Sequence, residues 1–94
     1  MLEVFNPYNN ELVGSVKSCN IKDIDEAVEK LRTYNFDLGA YERSLILNKA
    51  VELLKEEQHE FVELISSEIG VSKKDAIHEV ERSFNVISLC SEEA

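Results

Sequence analysis

Residues 41–70 read YERSLILNKA VELLKEEQHE FVELISSEIG, and their pattern decides the fold. At about 100° per residue, Ile46, Leu47, Ala50, Val51, Leu53, Leu54, Phe61, Val62, Leu64, Ile65 and Ile69 fall on one half of a helical wheel. Asn48, Lys49, Glu52, Lys55, Glu56, His59, Glu60, Glu63, Ser66 and Ser67 fill the other half, with Leu45 the single apolar intruder. The pattern predicts one helix over 41–69, roughly seven turns long, with an apolar face about half its circumference wide. So wide a face asks for cover on two sides, more than a coiled-coil seam needs. Glu57, Gln58 and Glu68 interrupt that face. Glu68 is the odd one, because an acid in the last turn meets the negative end of the helix dipole. Partial exposure with a nearby N–H or Lys partner satisfies it; so does a bound cation or a basic side chain from elsewhere.

Working outward, Gly70 suits the residue after a helix, where φ is usually positive. Ser72 and Asp75 have capping-box spacing and open a helix over 73–92. Ala76, Val80, Phe84 and Ile87 form its stripe, while Ile77, Val86, Leu89 and Cys90 carry apolar character round the rest. A helix that is apolar on nearly all sides expects burial. Upstream, Asn20 and Asp23 cap a helix over 21–34 with Ile24, Ala27, Val28 and Leu31 on one face, and residues 35–39 break it. Before it, Val4-Phe5 and Leu12–Val16 flank the turn signals Asn6-Pro7 and Asn9-Asn10, which predicts a two-stranded ribbon over 3–17. No later segment reads as a strand to pair with its edges. The fold class is therefore mostly α, a short N-terminal β-ribbon followed by three helices, in one unit over 1–94.

The 94 residues carry 19 acids against 10 bases, a net charge of −9. That charge repels nucleic acid and anionic membrane, so neither is expected as a partner. No apolar run approaches the roughly 18 residues of a membrane span, and the first residues lack the pattern of a signal peptide. Cys19 and Cys90 stand in unrelated surroundings, which reads as free thiols in a cytoplasmic protein. Cys90, among apolar neighbours, reads as a buried structural thiol, and Cys19 as inert. Gly14, Gly39 and Gly70 are too scattered for a phosphate-binding loop. His78-Glu79 begins a zinc-protease-like motif, but Arg82 stands where the second His belongs, so His78 and His59 read as surface residues.

Five segments, in order, carry a family resemblance. Phe5-Asn6-Pro7 through Glu11-Leu12-Val13 resembles the opening N-P-x-x-x-E-x-(I/V) of the aldehyde dehydrogenase superfamily. Asp23 through Val28 resembles its D-(V/I)-(D/E)-x-A-(V/I), and Arg43 through Leu47 its R-x-x-(I/L)-L. Glu68-Ile69-Gly70 stands where the family writes E-x-G-K-P, and Ala76, Glu79-Val80 and Arg82 match A-x-x-E-V-x-R. Val71-Ser72 departs from the family's Lys-Pro at the turn that follows. The ending is most similar to the branch of lactaldehyde, phosphonoacetaldehyde and non-phosphorylating glyceraldehyde-3-phosphate dehydrogenases.

The resemblance implies the N-terminal helical part of a cofactor-binding domain, in an enzyme that oxidises an aldehyde to a carboxylate with NAD or NADP. It places the catalytic thiol, the general base and the cofactor loop downstream of Ala94, and neither Cys19 nor Cys90 matches the catalytic cysteine. No catalytic, NAD-binding or NADP-binding residue is therefore expected in this chain. One family site carries over in part: a structural Na⁺ or K⁺ held by the carbonyl of Phe5 and the carboxylate of Glu68, with a third ligand missing. The expected partners are the rest of a dehydrogenase chain and, for the 94 residues alone, a second copy. The competing class is a free-standing acidic helical module that binds a partner protein. A glycine-rich loop and a cysteine motif further along the reading frame would mark the enzyme.

Overall fold

The structure, a computed structural model, describes all of Met1–Ala94. Strands β1 (Leu2–Phe5) and β2 (Leu12–Val16) form an antiparallel ribbon, followed by helices α1 (Ile21–Thr33), α2 (Ala40–Glu56), α3 (Gln58–Ile69) and α4 (Lys73–Glu93). Leu2 pairs with Val16 and Val4 with Gly14, and the register slips between Val4 and Phe5. Asparagine builds the turn. Asn6 Oδ1 accepts from the Tyr8 N–H at 2.9 Å, Asn9 Oδ1 from the Glu11 N–H at 3.0 Å, and Asn10 takes the left-handed conformation at φ 58°. The expected ribbon followed by helices is the observed architecture.

The helix expected over 41–69 is two helices. At Glu57 the backbone leaves helical geometry (φ −102°, ψ 14°), its N–H divided between the carbonyls of Leu53 and Leu54 at 3.3 and 3.2 Å. The polar interruption supplies the reason. A straight continuation puts both Glu57 and Gln58 on the apolar side, whereas the break leaves Glu57 in water and Gln58 half-buried.

Helices α2 and α3 pack against α4, and that hairpin holds the core: Val51, Val62, Ala76, Val80 and Phe84. Ala76 is wholly buried in that core. Far along the hairpin, Ser91 Oγ donates to the Ser44 carbonyl at 3.0 Å and shares a 2.8 Å bond with Ser44 Oγ. These two bonds allow a serine to be buried there. The burial expected of Cys90 is corrected: its thiol is exposed. One residue is about 100° of helix, so Cys90 lies off the Phe84–Ser91 line that meets α2. Val86 and Leu89 are likewise exposed, so the expected burial of α4 on all sides is not realised.

The caps differ in completeness. Asn20 and Asp23 make the full reciprocal box at 2.9 and 3.0 Å. Ser72 accepts from the Asp75 N–H at 3.1 Å, with no return bond from Asp75. Arg43 Nη1 donates to the Leu38 carbonyl at 2.6 Å and ties the preceding loop to the start of α2. Helix α1 has no buried residue. The molecule is a thin layer, 47 × 35 × 16 Å. Its Cα radius of gyration is 17.1 Å, against about 12 Å for a compact domain of this length.

Candidate cation site at the ribbon–helix junction

Two segments singled out by sequence, Phe5-Asn6-Pro7 and Glu68-Ile69-Gly70, meet in the structure. Gly70 ends α3 in the left-handed conformation, φ 78°, and its N–H donates to the Ser66 carbonyl at 2.9 Å. Pro7 packs directly over it: a Cβ on Gly70 would stand 2.6 Å from Pro7 Cγ. The glycine is thus required twice, by its dihedral and by the approach of the turn. Ser66 Oγ donates to the Val71 carbonyl at 2.9 Å and holds the chain as it leaves the helix. This bond fixes the Val71-Ser72 segment that replaces the family's Lys-Pro.

A hollow of about 250 Å³ lies at the junction, lined by Asn6, Tyr8, Ser66, Ser67, Gly70 and Val71. Neither Phe5 nor Glu68 lines it, and both are exposed. Both serine hydroxyls are already committed, Ser67 Oγ donating to the Glu63 carbonyl at 2.7 Å. Glu68 therefore is not a buried anion. It sits in water at the carbonyl end of a helix whose last turn has no basic residue. Carboxylate and helix end together make a negative potential that suits a hard, oxygen-preferring cation. No group of three or more His, Cys, Asp or Glu side chains is arranged to hold a metal. A cation here would draw on backbone carbonyls and water for its remaining ligands.

One ion pair nearby escapes sequence reasoning because its partners are on different helices. Lys73 Nζ, at the start of α4, donates to Glu63 Oε1 on α3. That hydrogen bond holds the Glu63 carboxyl below the usual carboxylate range; partial desolvation opposes it, and the positive fields of Lys73 and His59 add to it. Because the folded-state value is depressed, the contribution is present above the unfolded carboxylate value and lost as pH falls through the lower folded one. Lys73 is exposed and Glu63 is partly so, which leaves the effect modest and screened by salt. Wild type should lose stability relative to Glu63→Gln between about pH 5 and pH 3. Thermal melts of the two proteins across that range test it; parallel curves would contradict it.

The fold and the motif order define a class, and the comparison agrees: the model of the Aldehyde dehydrogenase family matches residues 1–94, and the chain belongs to that family. Among curated relatives, it is similar to the 3-sulfolactaldehyde dehydrogenase of Priestia megaterium, 31% identical over 94 residues, covering 99% of this chain and 20% of that protein. The lactaldehyde dehydrogenase of Methanococcus aeolicus is 33% identical over 85 residues, 87% of this chain and 18% of the relative. The NADP-dependent glyceraldehyde-3-phosphate dehydrogenase of Pisum sativum is 27% identical over 93 residues, 96% of this chain and 19% of the relative. Family and branch are those read from the sequence. The chain spans about a fifth of the length of the curated relatives it matches. No solved structure matches it significantly.

Proposed function

We propose that residues 1–94 are the N-terminal helical scaffold of the cofactor-binding domain of an NAD(P)-dependent aldehyde dehydrogenase. The whole enzyme adds a cysteine thiol to the aldehyde carbon, passes hydride to the nicotinamide, and hydrolyses the resulting thioester to the carboxylate. No step of that chemistry is assigned to this chain. Its part is mechanical: α2, α3 and α4 form a plate whose open faces cover the rest of the domain. Phe5 and Glu68 would hold a Na⁺ or K⁺ that pins the ribbon to the end of α3. The single observation that carries this reading is the thinness of the layer, in which five apolar side chains are buried. A free-standing domain of this length closes on itself to a greater degree.

The test is a graft. Replacing the matched fifth of the Priestia megaterium 3-sulfolactaldehyde dehydrogenase with residues 1–94 should leave aldehyde oxidation within roughly tenfold of the parent. Deleting that fifth should abolish soluble, active enzyme. The same assay, run with NAD and with NADP, reads the cofactor preference. The 94-residue chain alone, given either cofactor and a panel of aldehydes, should yield no reduced cofactor. A folded but inactive graft, or turnover by the chain alone, overturns the proposal.

A further inference from the structure

We propose that Ser44 and Ser91 are a register pin, a polar pair that selects one alignment of α4 along α2. The pin lies inside the helical plate, so it stands or falls separately from the scaffold reading. Spacing shows why one is needed. On α2, Ser44, Leu47, Val51 and Leu54 are half-buried or buried and recur at intervals of three and four. On α4, Ala76, Val80, Phe84, Ile87 and Ser91 do the same. Two such seams pack in more than one alignment. Sliding one helix by a turn, about 5.4 Å, again sets apolar residues against apolar residues.

A polar group in the seam removes that degeneracy, because a slipped alignment buries a hydroxyl without its partner. Ser91 occupies that position. It is 3% exposed and the one polar residue among the six that are buried. Its two bonds to Ser44 are the only hydrogen bonds between α2 and α4. Both hydroxyl protons are used. Ser91 gives its proton to the Ser44 carbonyl at 3.0 Å, so Ser44 gives its own to Ser91 Oγ across 2.8 Å. A slip of four residues sets Ile87 in the place of Ser91, with neither donor nor acceptor. A slip of three brings Ser88, turned about 60° off the seam. The pair also stands where apolar burial is thin. Leu45, Ile46 and Leu89 nearby are about half exposed or more, and the buried core begins at Val51 and Phe84, roughly two turns away.

Cys90, exposed and adjacent to Ser91, accepts a nitroxide spin label once Cys19→Ser leaves it the only thiol. Broadening of the amide signals along α2 then reports the alignment. With the pin intact the broadening should centre on Ser44. In Ser44→Ala/Ser91→Ala the centre should move by a turn or the signals should split into two sets, with far-ultraviolet dichroism unchanged. Ser91→Ala alone removes both bonds and should do the same. Each single alanine should lower the folding constant roughly fivefold, and the double no further than either, since an apolar pair strands no hydroxyl. Ile87→Val, of similar cost but sparing the pair, should keep the centre on Ser44. The proposal is overturned by a double variant that unfolds, by one that keeps a single set of signals centred on Ser44, or by an equal shift in Ile87→Val.

Discussion

Phe84→Ala should unfold the helical hairpin at ordinary temperature. Phe84 is the largest of the five buried apolar side chains, 8% exposed, and belongs to the core cluster. Truncating a buried phenylalanine typically costs about 3–5 kcal/mol, the transfer loss plus the cavity left behind. A chain of this length has roughly 5–14 kcal/mol in total even when compact, and this one is not. The Lys55 ammonium, 5.9 Å from the ring centre, adds under about 1 kcal/mol and is lost with it. Leu89→Ala supplies the contrast. That leucine is on the same helix but 61% exposed, so its truncation should shift stability by no more than about 0.5 kcal/mol. Urea titrations followed at 222 nm separate the two. Equal midpoints would mean that the core is not where the structure places it.

The second large effect is local. Gly70→Val demands a left-handed dihedral from a β-branched residue and drives Cβ into Pro7. The dihedral costs about 1–2 kcal/mol, and the contact at 2.6 Å cannot persist. Pro7 belongs to an exposed turn, so the ribbon should lift while the hairpin survives. Hydrogen exchange should quicken at the β1 and β2 amides and stay slow at Val80 and Phe84. Pro7→Gly in the same background should recover the part due to the clash, leaving the dihedral strain. Gly14→Ala should change little, since its added methyl meets nothing within 4 Å. If exchange in the ribbon is indifferent to Gly70→Val, the two family segments do not meet as described.

The caps, the apolar periods and the helix ends at residues 34–39 and at Gly70 are local facts, and these were legible. Asn20 with Asp23, Ser72 with Asp75, and Gly70 each act within four residues, so the chain spells them out. The order of elements and the order of five family segments follow from the same one-dimensional text. The candidate cation site was legible only as two separated segments. That Pro7 seats on Gly70 is a fact of their meeting, while Glu68 turned out to face water and not a buried anion's surroundings.

What tertiary structure alone decided is which side of each helix is covered. Periodicity marks a face as apolar but does not say where the next helix crosses it. Cys90 and Ser91 show the consequence: the thiol, more apolar, is exposed, and the hydroxyl is buried because Ser44, far away in sequence, supplies its bonds. Glu57 shows it too, since a run of good helix formers breaks where a straight path would carry a charge onto the apolar side. Hydrogen bonds within a turn belong to the residues that make them. Burial belongs to the pair of surfaces that exclude water between them, and only the folded arrangement names both.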